Sequence, residues 1–355
     1  MKVLSIVGAR PQFIKLAPLS RELRKYHEEV IVHTGQHYDE NLSETFFREL
    51  GIPEPDYNLG VGSGSHGWQT GQMLVKLEEV MMEEEPDLVI VFGDTNSTLA
   101  GALAASKLHV PLAHVEAGMR NFDKHKPEEI NRVMTDHVSD YLFAVTKTAV
   151  KNLEDEGITE NVYLVGDVTL DDFLRLAKEA EKKSSILEEQ GLEEKKYLLL
   201  TIHKQKNTDV RERLEEIIKA LVQAKETIVF PIHPRTRKPL KEYGLMRLVE
   251  DSSILLIEPV GYIDFIRLMS GSNKIITDSG GIQREAYLLE VPCITLRETE
   301  WRETVEDGWN LLADVEEEKI LDAVNNFKPD TPQNNIFGEP GVCARILGIL
   351  NQEFE

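Results

Sequence analysis

Leu88-Val89-Ile90-Val91-Phe92-Gly93-Asp94 is a β-branched apolar run that stops at a glycine and an acid. The helical stretch Ser97–Leu108 follows, and a second run, Val110-Pro111-Leu112-Ala113-His114-Val115-Glu116, stops at another acid. Strand, helix and strand in immediate succession make a parallel pair with a crossover helix. Ligands of open parallel sheets bind outside the carboxyl ends of the strands. Asp94 and Glu116 stand at two such ends. Glu128, twelve residues beyond Glu116, follows Pro127 at the opening of a helix. A strand-end acid can merely cap the next helix. Three in this arrangement point instead to acid–base work on a small substrate.

The same alternation runs through the chain. Further strands are predicted at Val3–Val7, Val30–Thr34, Tyr141–Ala144 and Val162–Val165. A second set follows at Tyr197–Ile202, Thr227–Pro231, Ile254–Ile257, Lys274–Thr277 and Pro292–Thr295, with helices such as Arg211–Gln223 and Gln283–Leu288 between them. The fold class is α/β, and two Rossmann-like domains facing each other across a cleft are the simplest architecture. The break falls around Leu176–Lys196, where Lys and Glu dominate, and reads as a solvated helix and linker. Gly60-Val61-Gly62-Ser63-Gly64 does not follow a predicted strand and reads as a flexible loop.

A chain of 355 residues with 41% apolar content can bury two ordinary cores. The net charge of −22 argues against nucleic acid as a partner, because that needs clustered Lys and Arg. Cys293 and Cys343 form no CxxC, so neither a disulfide framework nor a zinc site is expected. No metal site is signalled among the acids and histidines. No apolar stretch approaches the ~20 residues of a membrane span. The opening residues carry no signal-peptide pattern, and a cytoplasmic location is the default.

Two segments suit an anion. The first strand runs into Gly8-Ala9-Arg10-Pro11-Gln12, where a helix N-terminus with Arg10 and Lys15 close by would attract negative charge. In the second half, Lys274–Thr277 leads into Asp278-Ser279-Gly280-Gly281-Ile282-Gln283-Arg284-Glu285. That turn lets backbone approach a diphosphate, and Glu285 could accept from ribose hydroxyls. Neither segment carries GxGxxG or a P-loop, so no dinucleotide cofactor is expected. His203 and His233 each close a strand and point to the same region.

Taken in order, Gly8–Lys15, His33-Thr34-Gly35-Gln36-His37, Gly93–Thr98, His114–Arg120, Pro127–Arg132 and Thr277–Gly281 resemble the non-hydrolysing UDP-N-acetylglucosamine 2-epimerases across nearly the whole chain. The resemblance implies a glycosyltransferase-B-like fold. It implies a first domain of residues 1–170 carrying the acid–base groups, a second of 171–340 binding UDP, and a C-terminal helix (341–355, about Val342–Asn351) returning to the first. It implies acid–base carboxylates at Asp94, Glu116 and Glu128 and an active-site histidine at His203. UDP contacts fall on Arg10, Lys15, Arg132, His233, Ser279, Gly280, Gly281 and Glu285. It also implies a UDP-sugar partner and a homodimer, with no cofactor and no metal. Two departures stand out: Lys206 replaces the Glu of the family's His-Arg-x-Glu-Asn, and the stretch Arg297–Glu303 lacks the common Pro. Gly8–Lys15 and Val165-Gly166-Asp167-Val168 also resemble a subgroup acting on UDP-2,3-diacetamido-2,3-dideoxyglucuronic acid, so two substrates stay open.

The chemistry implied is elimination. C1 is an acetal carbon, so no carbonyl acidifies the C2 proton, and a C3 oxidation would need a nicotinamide. Loss of UDP across C1–C2 gives a 2-acetamidoglucal. Re-addition with the proton on the other face inverts C2, which is a reason for more than one carboxylate. A glycosyltransferase of the same fold and a silent UDP-sugar binder are the alternatives from other classes.

Overall fold

The apolar runs become strands buried on both faces, as parallel sheets require. The computed structural model describes residues 1–36, 51–224, 226–299 and 301–354, without the Arg10 side chain. His37 of the predicted motif therefore lies outside the described residues, and so does the Arg10 side chain.

The chain divides into two units, Met1–Asp172 with Asn335–Glu355, and Phe173–Asn334. The first holds β1 (Lys2–Val7), β2 (Glu28–His33), β3 (Tyr57–Asn58), β4 (Leu88–Phe92), β5 (Leu112–Ala117), β6 (Tyr141–Ala144) and β7 (Val162–Leu164). They lie in the order β3-β2-β1-β4-β5-β6-β7, all parallel. The second holds β8 (Leu198–Thr201), β9 (Ile228–Pro231), β10 (Ile254–Ile257), β11 (Lys274–Thr277), β12 (Cys293–Thr295) and β13 (Asn310–Leu312). Their order is β10-β9-β8-β11-β12-β13, again parallel. Each sheet reverses direction of growth between its first and fourth strands, β1/β4 and β8/β11. Those are the switch points where doubly wound sheets bind ligands.

Period-two alternation builds the cores. Leu198, Leu200 and Phe230 face one cluster of the second unit, while Leu199, Val229 and Ile275 face another on the opposite side of the sheet. In the first unit Leu4, Ile6, Val89 and Val91 pack on Met73 and Leu77 of helix His66–Glu84. The C-terminal helix Val342–Phe354 belongs to the first unit. The Asp171 carboxylate accepts the Gly341 N–H at 2.6 Å, and His27 Nε2 meets Asn351 Oδ1 at 2.7 Å.

Three expectations change. β3 and β13 were not anticipated, because two or three residues such as Tyr-Asn carry no readable alternation. β3 ends two residues before Gly60. The 60–64 stretch is pinned by Val61 N–H to Thr34 O (3.0 Å), Gly62 N–H to Gly35 O (3.0 Å) and Gln69 Nε2 to Gly62 O (2.6 Å). It is a bonded turn rather than a free loop. The charged stretch near 176–196 is not simply solvated: helix Leu170–Lys183 buries Phe173, Ala177 and Ala180. Its lysines and glutamates occupy the outer face of an amphipathic helix.

Candidate active site

At the first switch point the loop after β1 is closed by Gln12. Its Oε1 accepts the N–H groups of Gly8 (2.8 Å) and Ala9 (3.1 Å), while its Nε2 donates to Phe92 O (3.0 Å) and Thr98 Oγ1 (3.1 Å). Pro11 has no N–H to offer. The helix N-terminus expected to face an anion has thus already spent the amides of Gly8 and Ala9 inside the protein. A Cβ on Gly8 would run into Thr34 and Ser97, so glycine is what lets the loop close.

β4 ends at Gly93, whose φ of 62° is a left-handed conformation. A Cβ there would stand 3.0 Å from Lys15 Nζ and 3.2 Å from Glu116 Oε2. The missing side chain makes room for that ion pair, in which Lys15 holds the Glu116 carboxylate through Oε2. Glu116 sits at φ 75° within a bulge of β5, which turns its side chain away from the regular strand pattern. Asp94, next to Gly93, is gripped through Oδ2 by Arg132 at 2.6 and 3.0 Å. In both carboxylates one oxygen is anchored by a cation, and the other has no partner among the described residues.

Helix Pro127–Val138 supplies the third acid. Asn131 donates to Asp94 O at 2.9 Å and Arg132 reaches the Asp94 side chain. Glu128 lies three and four residues before them, on the same helix face. It is exposed and has no hydrogen-bond partner among the described residues. Its neighbour Glu129 is buried and structural: it accepts the N–H groups of Asn121 (3.0 Å) and Phe122 (2.8 Å). The structure therefore brings Asp94, Glu116, Lys15, Arg132 and Glu128 into one neighbourhood. Arg132, assigned to UDP by resemblance, is engaged with Asp94 and Glu129 here.

In the second unit β11 leads through Asp278 and Ser279 into helix Gly280–Leu288. Ser279 provides no side-chain cap, and its own N–H is taken by Thr277 Oγ1 at 3.0 Å. The N–H groups of Gly280, Gly281 and Ile282 have no intrahelical acceptor, as for any first turn. No other partner for them occurs among the described residues. A Cβ on Gly281 would meet nothing closer than Ser279 Oγ at 4.0 Å, so space stands open above these amides. Glu285 accepts from Tyr262 Oη at 3.0 Å on the next turn.

His203 and His233 face each other with ring centroids 6.2 Å apart. His233 caps helix Pro234–Glu242 by accepting the Arg235 N–H at 3.1 Å. Burial pushes the His203 pKa below the ordinary imidazole value. Asp278 opposes that shift, while Lys204, His233 and Arg297 add to it. The ring is therefore neutral at neutral pH and carries one N–H. Both histidines line a cavity of about 180 Å³ with Thr201, Ile202, Pro231, Pro259, Val260, Phe265 and Ile282.

Asp278 has a role that its sequence position does not announce. It is fully buried and accepts the N–H groups of His203 (3.1 Å) and Lys204 (3.0 Å) and the Asn207 amide (3.2 Å), which fixes the turn bearing His203. Gln12 and Asn131 were likewise given no function. A polar residue inside a turn motif is the only sequence signal any of them leaves. Lys206, the charge reversal noted above, is exposed on the short helix Gln205–Thr208. Among the described residues no three His, Cys, Asp or Glu side chains gather as a metal would require. No helix among them is long and apolar enough to cross a membrane.

One doubly wound unit thus presents carboxylates, and the other presents open helix amides and a cavity lined by apolar side chains and two imidazoles. A family profile described as UDP-N-acetylglucosamine 2-epimerase matches residues 21–351, and the chain belongs to that family. It is 54% identical over 354 residues to the UDP-N-acetylglucosamine 2-epimerase homolog of Methanococcus maripaludis, covering 99% of both chains. It is 44% identical over 361 residues to the UDP-2,3-diacetamido-2,3-dideoxy-D-glucuronate 2-epimerase of Pseudomonas aeruginosa, again covering 99% of both. The crystal structure of the Methanocaldococcus jannaschii UDP-GlcNAc 2-epimerase in complex with UDP-GlcNAc and UDP superposes with a TM-score of 0.83 and 46% identity, covering 99% of this chain and 100% of that one.

Proposed function

We propose that this chain is an isomerase that interconverts UDP-N-acetylglucosamine and UDP-N-acetylmannosamine by eliminating and re-adding UDP. The observation that carries this reading is the pair of cation-anchored carboxylates, Asp94 on Arg132 and Glu116 on Lys15, each with one oxygen that has no partner among the described residues. A base must hold still and still have a lone pair to give.

In this reading the second unit holds UDP. The uracil ring lies in the cavity between His203, His233 and the apolar walls, and Glu285 accepts from the ribose. The diphosphate sits on the Gly280, Gly281 and Ile282 amides, where the helix dipole adds to the attraction. The neutral His203 ring donates its N–H to the departing phosphate. The first unit moves the proton. One of Asp94, Glu116 and Glu128 takes the C2 proton, and its electrons form the C1–C2 double bond as the C1–O bond breaks toward the β-phosphate. A second carboxylate returns a proton from the opposite face while UDP re-adds to C1. Lys15 balances the charge of Glu116. No cofactor takes part, and the protein works in the cytoplasm.

The substrate of the Pseudomonas aeruginosa relative is a second reading, favoured by the exposed cations Lys204 and Lys206 beside His203, which suit a uronate carboxylate. Incubation with each UDP-sugar, with C2 inversion followed by proton NMR, decides between them. Inversion of neither, with UDP bound, would leave a silent binder. We also propose a homodimer. Trp68, Val75 and Met82 stand exposed at seven-residue spacing along helix His66–Glu84, and light scattering tests it.

A further inference from the structure

His114 lies in β5 two residues before Glu116 and is fully buried. Its Nδ1 meets Asp136 Oδ1 at 2.6 Å and its Nε2 meets Gly93 O at 2.8 Å. A carboxylate and a carbonyl both accept, so each ring nitrogen faces an acceptor. The Gly93 carbonyl belongs to the same rigid peptide plane as the Asp94 N–H. Whatever holds that oxygen sets the orientation in which Asp94 leaves the strand.

Asp136 carries the clasp further. Its Oδ2 accepts the Gly118 N–H at 3.1 Å and Arg120 Nη1 at 2.7 Å. Gly118 follows Glu116 by two residues, just past the bulge between Val115 and Ala117 in which Glu116 takes its left-handed φ. A non-glycine residue held there is strained and needs surroundings that fix it. One buried carboxylate thus ties down the far side of Glu116 directly and the near side of Asp94 through His114. Burial alone would raise the Asp136 pKa, but His114 and Arg120 outweigh it and hold the group below the usual carboxylate range.

We propose that His114 is a positioning residue that orients the Gly93–Asp94 peptide and, through Asp136, locks the two strand-end carboxylates in one geometry. The proposal rests on the reading that these carboxylates move the C2 proton. His114 touches no substrate; it acts through Gly93 and Asp136.

Two variants of the full chain separate positioning from plain stability. In His114→Asn the amide lies near the place of Nδ1, so the bond to Asp136 is kept and that to Gly93 is lost. In His114→Gln the amide lies near the place of Nε2, so the reverse holds. Misplacing a reacting group by about 1 Å costs on the order of 10²-fold in rate. His114→Asn is expected to lose about that much kcat, with the dissociation constant of UDP unchanged. His114→Gln is expected to keep more kcat while melting at the lower temperature, because it leaves Asp136 short of a partner. This crossing of activity and stability is the signature of positioning. If kcat follows melting temperature through both variants, or if UDP binding falls in step with kcat, the proposal is overturned.

A measurement on the unaltered protein keeps the test open should either variant not fold. With ¹⁵N-labelled histidine, the His114 ring nitrogen that faces the Gly93 carbonyl should carry a slowly exchanging hydrogen. A His114 Nε2 that carries no hydrogen would break the clasp. If the unaltered protein inverts no UDP-sugar, the functional reading fails first, and the labelling result still judges the geometry.

Discussion

The two units place an aspartate in the same slot, just past the fourth strand of the sheet, and use it in opposite ways. After β4, Asp94 projects its side chain and is held on one oxygen by Arg132, and the other has no partner among the described residues. After β11, Asp278 is fully buried and spends its oxygens on the N–H groups of His203 and Lys204 and on Asn207. The helices that follow differ in the same sense. Thr95 caps its helix by accepting the Thr98 N–H, and Gln12 closes the neighbouring loop. Ser279 leaves the first turn of its helix uncapped. One topology therefore yields a unit that shows negative charge and a unit that shows amide hydrogens. The first suits proton transfer, the second an anion, and the difference lies in a few polar residues rather than in the sheets.

The largest effect should come from the unit that shows charge. Asp94→Asn, Glu116→Gln and Glu128→Gln are each expected to lower turnover by about 10²-fold or more, with UDP affinity unchanged by calorimetry. Near-normal rates in all three would end the division of labour. Gln12→Leu comes next. It strands the Gly8 and Ala9 N–H groups and removes two donated bonds, so denaturant unfolding should lose about 1–3 kcal/mol. A full-stability variant would mean that these amides are satisfied elsewhere.

Gly281→Val sharpens the other side. Among the described residues nothing lies within 4.0 Å of a Gly281 Cβ but Ser279 Oγ, so stability should hold while the added side chain blocks ligand approach to the first-turn amides, and UDP should bind roughly tenfold more weakly. Unchanged affinity would place the diphosphate elsewhere. The smallest effect is a pH dependence. Burial lowers the pKa of both His33 and His203 from the ordinary 6.5. Below 6.5 the unfolded chain binds protons that the folded chain refuses, so stability falls as pH drops through that window and is unaffected by these groups above it. Urea midpoints across mildly acidic pH check the sign, and His33→Gln should flatten part of the slope.

Strand positions were legible because β-branched runs such as Leu88–Phe92 and Lys274–Thr277 must be buried on both faces of a parallel sheet. The acids that end them were legible for the same reason: a charge cannot continue such a run. What each end does was not. Asp94 and Asp278 follow strands of the same kind, and only the three-dimensional partners show that one is presented and the other consumed. Gln12 reads as an ordinary polar residue of a first helical turn until its two loop amides are seen. His114 sits inside an apolar run, where a lone histidine reads as core. The left-handed φ of Glu116 comes from a bulge, which no local spacing announces. Edge strands β3 and β13 are too short to carry a period.

The central claim is that the two units cooperate in breaking and remaking the C1–O bond. It is tested by running the enzyme in D₂O on UDP-N-acetylglucosamine labelled with ¹⁸O at the bridging position between C1 and the β-phosphate. Product should carry deuterium at C2, and unreacted and product nucleotide sugar should show ¹⁸O moved into the non-bridging oxygens of the β-phosphate. In the proposed reading the label moves because UDP stays bound on the Gly280 and Gly281 amides long enough for its terminal phosphate to turn. Deuterium at C2 with the label still in the bridge, after many turnovers, would mean that the C1–O bond never broke and would contradict the account.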